Sequence, residues 1–432
     1  EKLKECDWII EVIAERLDWK KDLYKKIAPY IEGKIVTSNT SGISLSELTE
    51  DMDDNFKENF FITHFFNPPR YMKLVEFIYS ELNNEDLISG MAQFMEDKLG
   101  KGVVYAKDTP NFIANRIGVF GMMVTVNEAI NRKINIEDVD ALTGPIIGRP
   151  KSATFRTADV VGLDVMQFVA NTAYNKCEND KYRDQYVIPE KVKHLIDNEC
   201  LGQKSGAGFY KKIDKGVIHV FDFDSMDYRP INKKRFKAIA LAKEQNTLEG
   251  KLKAAIFCDD DAGDFLWALT SQSLVYCAEL LGKISDDIVN IDNALSWGFA
   301  WEKGPFKTWD MLGFDAVISK MNDSDLKVPD WVLEMQSKGF SSFYKEEEGS
   351  YYYYDLKSKN YKNINLRDDQ ITFASFVQKN KTIKKNWSAS MIDLDDGVLG
   401  VELHSILKPD FNPLDGSIVS TLEAAVNWVS DN

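Results

Sequence analysis

At 432 residues, 44% of them hydrophobic and 28% charged, the chain has the composition of an ordinary globular protein and the length of two or three domains. A formal net charge of -15 would repel a phosphate backbone, and no basic patch reverses it, which argues against nucleic acid as a partner. No apolar run reaches the ~20 residues of a membrane span and no signal peptide opens the chain, so a cytoplasmic location is expected.

The chain begins EKLKECDWII without Met and ends VSDN after a helical pattern, as a fragment of something longer would. Residues 7–14, DWIIEVIA, have the length and near-continuous apolarity of a buried parallel strand. An amphipathic helix from Asp18 to Ile31 follows, then the strand and small-residue loop of KIVTSNTSG, then SLSEL, where Ser44 and Glu47 have capping-box spacing. FFITHFF and KLVEFIY read as two strands joined at Pro68-Pro69. A helix over 85–99 and the strand GVVYA complete a doubly wound, Rossmann-type parallel sheet domain over residues 1–108.

From Phe112 the apolar spacing becomes helical, and it stays so for the next 200 residues or so. Within that stretch Glu128 and Glu279, Phe155 and Phe306, Asp159 and Asp310, Gly162 and Gly313, and Asp164 and Asp315 are each 151 positions apart. One offset across five identities predicts two copies of one helical domain, over 109–210 and 252–330, packed on each other as an internal pseudo-dimer. Residues 211–251 read as a linker with some helix, and 331–385 as a linker holding a two-stranded hairpin around Tyr351 to Tyr354. Residues 386–432 open a third unit. The fold class is therefore α/β followed by all-α. The five cysteines (Cys6, Cys177, Cys200, Cys258 and Cys277) form no CxxC pair, which argues against zinc or a disulfide framework, and no metal is expected.

Ligands of a parallel doubly wound sheet sit at the carboxyl ends of its strands. The loop Ser38 to Gly42 lies at one such end, His64 on a neighbouring strand, and Glu76 just beyond the proline turn. A carboxylate that accepts from one imidazole nitrogen while the other faces a substrate fixes the tautomer and stabilises the imidazolium, the arrangement of a proton-transfer enzyme. The spacing fits equally a satisfied core histidine beside an edge glutamate. A Ser-His-Glu hydrolase with Ser41 as nucleophile lacks the GxSxG elbow.

SNTSG, HFFNPPRYMKLVE and KDTPNFIANR, in this order and with these separations, closely resemble the 3-hydroxyacyl-CoA dehydrogenase family. The likeness continues through GPIIGRPKSATFRTADVVGLDV and KSGAGFY to about residue 210, and 252–330 resembles the same family's C-terminal domain. The resemblance implies an NAD-bound Rossmann domain and a helical domain enclosing an acyl-CoA, with hydride passing from C3 of an L-3-hydroxyacyl thioester to the nicotinamide. It implies His64 as general base oriented by Glu76, with Ser41 and Asn115 binding the substrate oxygens. Glu15, Lys20, Asn67 and Lys204 match positions near the NAD. The family's opening strand and GxGxxG loop do not occur in these 432 residues, so residues 1–108 are expected to be the C-terminal part of an incomplete NAD-binding Rossmann domain, and GAG at 206–208 precedes no helix pattern. That favours one alternative, a catalytically inactive helical scaffold or acyl-CoA binding module. Asn111 stands where the family commonly has Gly, a residue type that tolerates left-handed backbone. Leu266 stands at the offset of Asn115, so the second copy is expected to lack chemistry. VLGVELHSILKPDFNPLDGSIVSTLEAAV resembles the start of an enoyl-CoA hydratase (crotonase) domain, in which His404 is a strand residue. A dehydrogenase fused to a hydratase resembles bacterial bifunctional proteins of fatty-acid β-oxidation, for which a thiolase is an implied partner.

Overall fold

The computed structural model describes residues 2–324, 326–347, 349–364, 371–406 and 412–431, which fall into two compact units, Glu1–Ser341 and Ser342–Asn432. The first unit opens with β1 (Trp8–Glu11), α1 (Leu17–Ile27), β2 (Ile35–Ser38), α2 (Leu45–Thr49), α3 (Asp54–Glu58), β3 (Phe60–Phe65), β4 (Leu74–Ile78), α4 (Glu85–Leu99) and β5 (Gly102–Tyr105). Ser44 caps α2 through the reciprocal bonds with Glu47 that its spacing predicts.

The five strands form one sheet in the order β1-β2-β3-β4-β5. β1, β2 and β3 run parallel, as do β4 and β5, but β3 and β4 pair antiparallel, so the sheet is mixed where a parallel one was expected. The cause is local: residues 66–73 are too few for the crossover that a parallel neighbour requires, roughly a dozen or more. On one face Phe61, Val75, Phe77 and Val103 pack against Ile88, Met91, Ala92 and Met95 of α4. Because side chains alternate along a strand, His64 and Glu76 project from the other face.

The chain then turns helical, with α5 (Ala114–Asn131), α6 (Ile136–Leu142), α7 (Phe155–Val161), α8 (Leu163–Lys176) and α9 (Glu190–Asp197). The segment read as a linker over 211–251 instead folds as a three-stranded antiparallel sheet, β6 (Tyr210–Asp214), β7 (Val217–Asp222) and β8 (Asp227–Pro230), followed by α10 (Lys237–Lys243) and α11 (Leu248–Ile256). Its apolar residues Val220, Phe221 and Phe223 are buried, which ties it to the core.

The unit continues with α12 (Asp261–Leu280), α13 (Ile288–Gly298), α14 (Pro305–Leu312), α15 (Phe314–Asp323) and α16 (Asp330–Ser337). α16 lies in what was read as the start of the second linker. Val332 and Met335 are fully buried, and Trp331 Nε1 donates to the Ala278 carbonyl at 3.0 Å, so this helix belongs to the first unit. α5 and α12 are apolar nearly all round, as helices enclosed on every side must be. They meet through Phe120 and Tyr276, stacked with centroids 3.8 Å apart.

Two helix starts repeat the same device. The Asp140 carboxylate accepts from the amides of Phe155 (2.7 Å) and Arg156 (3.2 Å) at the start of α7. The Asp292 carboxylate accepts from those of Phe306 (2.8 Å) and Lys307 (3.0 Å) at the start of α14. Each of these helices ends on a glycine of positive φ, Gly162 at 102° and Gly313 at 101°, that also starts the next helix.

In the second unit the tyrosine run is the middle strand of a three-stranded sheet, not half of a two-stranded hairpin. β10 (Ser350–Asp355) pairs antiparallel with β9 (Tyr344–Glu347) and β11 (Asn360–Asn363). α17 (Phe373–Gln378) leads to a second small sheet, β12 (Thr382–Lys385), β13 (Ala389–Asp393) and β14 (Leu399–Leu403), and α18 (Gly416–Asp431) packs on β13 and β14. His404 lies one residue past β14, its Nε2 2.7 Å from Ser390 Oγ. Part of the hydratase-like stretch, 407–411, lies outside the described residues. Among the described residues no helix is long and apolar enough to cross a membrane.

Candidate active site

The antiparallel register sets His64 directly opposite Glu76. Their side chains meet, Nδ1 to Oε2, at 2.7 Å, and both residues are buried. The second oxygen of Glu76 accepts from the amides of Ile113 (3.1 Å) and Ala114 (2.8 Å), the first turn of α5. A buried carboxylate is costly unless its lone pairs are used and its charge is opposed; here a helix N-terminus supplies both the donors and the positive end of a dipole. The turn that aims those amides has two residues with left-handed backbone, Asn111 at φ 65° and Phe112 at φ 50°. Asn111 therefore adopts the left-handed conformation that Asn tolerates, and its Nδ2 donates to the Val169 carbonyl of α8 at 2.8 Å.

With Nδ1 committed to Glu76, Nε2 of His64 is the basic nitrogen. Among the described residues it makes no hydrogen bond, and the ring is walled by Phe66 (4.6 Å between centroids) and Phe112 (5.7 Å). Such a nitrogen, in apolar surroundings and with its partner nitrogen fixed by a carboxylate, can take a proton from a hydroxyl placed against it. Asn115 sits on the first turn of α5, one residue beyond the amides that bind Glu76, and is half-buried.

Ser41 lies in the loop after β2, and Glu15 holds that loop. Its Oε1 accepts from the Ser41 amide (2.8 Å), the Gly42 amide (3.0 Å), the Thr40 hydroxyl (2.6 Å) and the Ser41 hydroxyl (3.3 Å). Lys20 is 1% exposed, 3.7 Å from Glu15 Oε2, and clasped by both oxygens of Glu11 at 2.8 and 2.9 Å. Glu11 also accepts from Ser38 Oγ (2.6 Å) and Tyr24 OH (2.7 Å). Burial alone would raise the Glu11 carboxyl, but the donors Lys20, Ser38 and Tyr24 outweigh it and hold the group below its ordinary range. Burial, with Glu11 beside it, pushes the Tyr24 phenol up.

The candidates are thus unequally connected. His64 and Glu76 touch, and Ser41, Glu15 and Lys20 form a second linked set at the end of the adjacent strand. Asn67, two residues past β3, is exposed. Lys204 does not join either set: its ammonium pairs with both oxygens of Asp164, at 2.5 and 2.6 Å, on the surface of the helical region. Glu11 and Thr40 were not singled out from the sequence. Glu11 carried a signal, a lone charge inside the apolar run DWIIEVIA, where an ion survives only if paired. Thr40 carried none.

Residues 1–109 match the family model 3-hydroxyacyl-CoA dehydrogenase, NAD binding domain, and residues 112–212 the model 3-hydroxyacyl-CoA dehydrogenase, C-terminal domain. The chain is 45% identical to a "Probable 3-hydroxyacyl-CoA dehydrogenase" of Bacillus subtilis (strain 168), over 94% of this chain and 51% of that protein. It is 29% identical to the "Fatty acid oxidation complex subunit alpha" of Psychrobacter cryohalolentis, over 72% of this chain and 40% of that protein. The chain spans about half the length of the curated relatives it matches. Among solved structures, the 3-hydroxybutyryl-CoA dehydrogenase of Escherichia coli K12 aligns with 77% of this chain and 82% of its own, with a TM-score of 0.56 and 18% identity, a likeness of fold alone.

Proposed function

Over residues 1–212 this chain belongs to the 3-hydroxyacyl-CoA dehydrogenase family, and from that premise we propose that the protein oxidises L-3-hydroxyacyl-CoA thioesters to 3-oxoacyl-CoA with NAD, as a step of fatty-acid β-oxidation. The observation that carries the reading is the His64–Glu76 pair, 2.7 Å apart and anchored on the first turn of α5.

His64 Nε2 takes the proton of the C3 hydroxyl. Glu76 keeps Nδ1 protonated and stabilises the imidazolium that forms. Asn115 and Ser41 bind substrate oxygens and turn the C3–H bond toward the cofactor side, and such orientation supplies a large part of the rate. The carboxyl ends of β1, β2 and β3 converge at Glu15, at the Ser38 to Gly42 loop and at exposed Asn67, where a nucleotide sits on a parallel sheet. These residues fit the nicotinamide half of NAD: exposed Asn67 is free to line it, whereas Glu15 borders it with Oε1 engaged by the Thr40–Gly42 loop. NAD, when bound, accepts the hydride from C3. Lys20 is enclosed, so its contribution runs through Glu15, and Lys204 would have to leave Asp164 to take part.

The same reading takes residues 252–330 as a second copy of the C-terminal domain, forming a pseudo-dimer with the first. The matching carboxylate caps of α7 and α14 and the paired glycines support it. The copy has lost its chemistry, as buried Leu266 at the offset of Asn115 argues. Residues 386–432 are read as the start of a crotonase-like domain, the substrate as an acyl-CoA, the location as cytoplasmic, and a thiolase as the partner that would consume the 3-oxoacyl product.

The test is His64→Gln in the full natural chain, assayed as reduction of acetoacetyl-CoA by NADH. Turnover should fall about 10²–10⁴-fold, the contribution of a positioned base. A rate near that of the unaltered protein would remove His64 from the role.

A further inference from the structure

Family likeness sets Glu15 beside the cofactor, yet four of its contacts run to the Thr40–Gly42 loop. Two successive amides turned to one point make an anion-binding concavity. The anion that fills this one is the Glu15 carboxylate, with the amides of Ser41 and Gly42 at 2.8 and 3.0 Å and the Thr40 hydroxyl at 2.6 Å. Thr40 Oγ1 accepts in turn from the Ile43 amide at 3.1 Å. On its far side Glu15 faces Lys20, whose charge is fixed by Glu11, and Glu11 grips Ser38 at the other end of the loop. Two carboxylates and one buried ammonium thus hold both ends of SNTSG, a sequence of small residues with little conformational preference of its own.

The contact to the Ser41 hydroxyl is different. At 3.3 Å it is the longest of the four, so the hydroxyl can exchange it for a substrate oxygen while the amides keep the backbone in place. We propose that Glu15 is a positioning residue: it holds Ser41 so that the serine hydroxyl meets the C3 oxygen of the 3-hydroxyacyl thioester. This inference rests on the dehydrogenase reading above and gives Glu15 a task inside the chain that does not depend on contact with NAD.

The test uses the full natural chain with Glu15→Gln, Ser41→Ala and the double variant, assayed with acetoacetyl-CoA and NADH. Glu15→Gln should lower kcat on the order of 10–100-fold, since small misplacements of reacting groups cost that much. The KM for NADH should stay within about twofold, and in the Ser41→Ala background the same change should cost less than about threefold, because coupled residues are not additive. A tenfold or greater rise in the KM for NADH with kcat retained would place Glu15 on the cofactor and overturn the proposal. Losses that simply multiply in the double variant would overturn it as well. If Glu15→Gln does not fold, Glu15→Asp keeps the charge toward Lys20 while withdrawing the carboxylate from the amides, and serves the same comparison. Amide hydrogen exchange at Ser41 and Gly42, read without substrate, separates the two readings. Protection lost in Glu15→Gln, in a protein without NADH-dependent turnover, would fail the dehydrogenase reading and keep the clamp; unchanged protection would overturn the clamp whatever the turnover.

Discussion

His64 and Glu76 are paired residues of adjacent antiparallel strands, and the carboxylate that orients the imidazole also caps α5 through Ile113 and Ala114. One side chain therefore serves both the candidate base and the joint between sheet and helices. Glu76→Gln preserves the shape but turns an acceptor into a donor on one side. The new amide must face either His64 Nδ1 or the helix amides. Facing His64, it forces the other tautomer and removes the base. Facing the helix, it leaves buried donors unpaired, at about 1–3 kcal/mol. Turnover should fall about 10²-fold or more, and the urea midpoint should fall with it. His64→Gln, which leaves the cap intact, should lose turnover with a smaller shift in midpoint. Equal stability losses in the two variants would separate Glu76 from the cap.

Asn115 on α5 and Leu266 on α12 are 151 positions apart, the offset of the proposed repeat, the one half-buried and the other fully buried. Asn115→Leu should abolish most turnover with acetoacetyl-CoA and leave the denaturation midpoint nearly unchanged. Leu266→Asn should destabilise by roughly 2–5 kcal/mol, from lost apolar burial and an unsatisfied amide, while the folded fraction keeps its kcat. Loss of kcat in that folded fraction would give α12 a role in the chemistry.

Much of this arrangement was legible in the sequence because it is local. The proline turn between two apolar runs fixes β3 against β4, and a twelve-residue separation then brings His64 and Glu76 opposite each other. Gly162 and Gly313, one of the pairs 151 positions apart, each stand between two helices. What the sequence concealed depends on distant partners. The strands over 210–230 have burial patterns dominated by exposed residues, so their few core side chains did not stand out as a sheet. Glu15 reaches its loop across 26 positions, and no periodicity connects a carboxylate in one turn to amides in another. The antiparallel step in the sheet was implicit in the short turn, yet the rhythm of strands and helices pointed to a parallel one.

Asn111 tests the joint from the backbone side. Its φ of 65° costs Ala about 1–2 kcal/mol but Gly nothing. Its Nδ2 bonds Val169, whereas its buried Oδ1 has no hydrogen-bond partner among the described residues and lies close to Gly42. Asn111→Gly exchanges one made bond for one relieved acceptor and should change stability by less than about 1 kcal/mol. Asn111→Ala should be less stable than the Gly variant by about 1–2 kcal/mol, measured by urea denaturation. If Ala proved as stable as Gly, the left-handed turn would not be what fixes the start of α5.

Asp159 joins the helical region to the KSGAGFY segment, accepting from the amides of Phe209 (2.8 Å) and Tyr210 (2.9 Å). Burial pushes its carboxyl from an ordinary 3.8 up to about 7, against the pull of those amides and of Arg156, and with Asp140 adding to the rise. Between about pH 4 and 7 the folded protein thus holds a proton that the unfolded chain has released. Stability then falls as pH rises through that window, by at most about 1.4 kcal/mol per unit for one group. Asp140, pushed up to about 6 by burial, acts in the same direction. Asp159→Asn titrates nowhere in this range, so its unfolding free energy should lack this slope. The quantity to measure is the stability of the unaltered protein minus that of Asp159→Asn by urea denaturation at pH 5, 6, 7 and 8. That difference should shrink as pH rises. A difference that grows with pH would mean the two amides win over burial and hold Asp159 ionised, in which case acid rather than base would loosen the strand that follows Gly208.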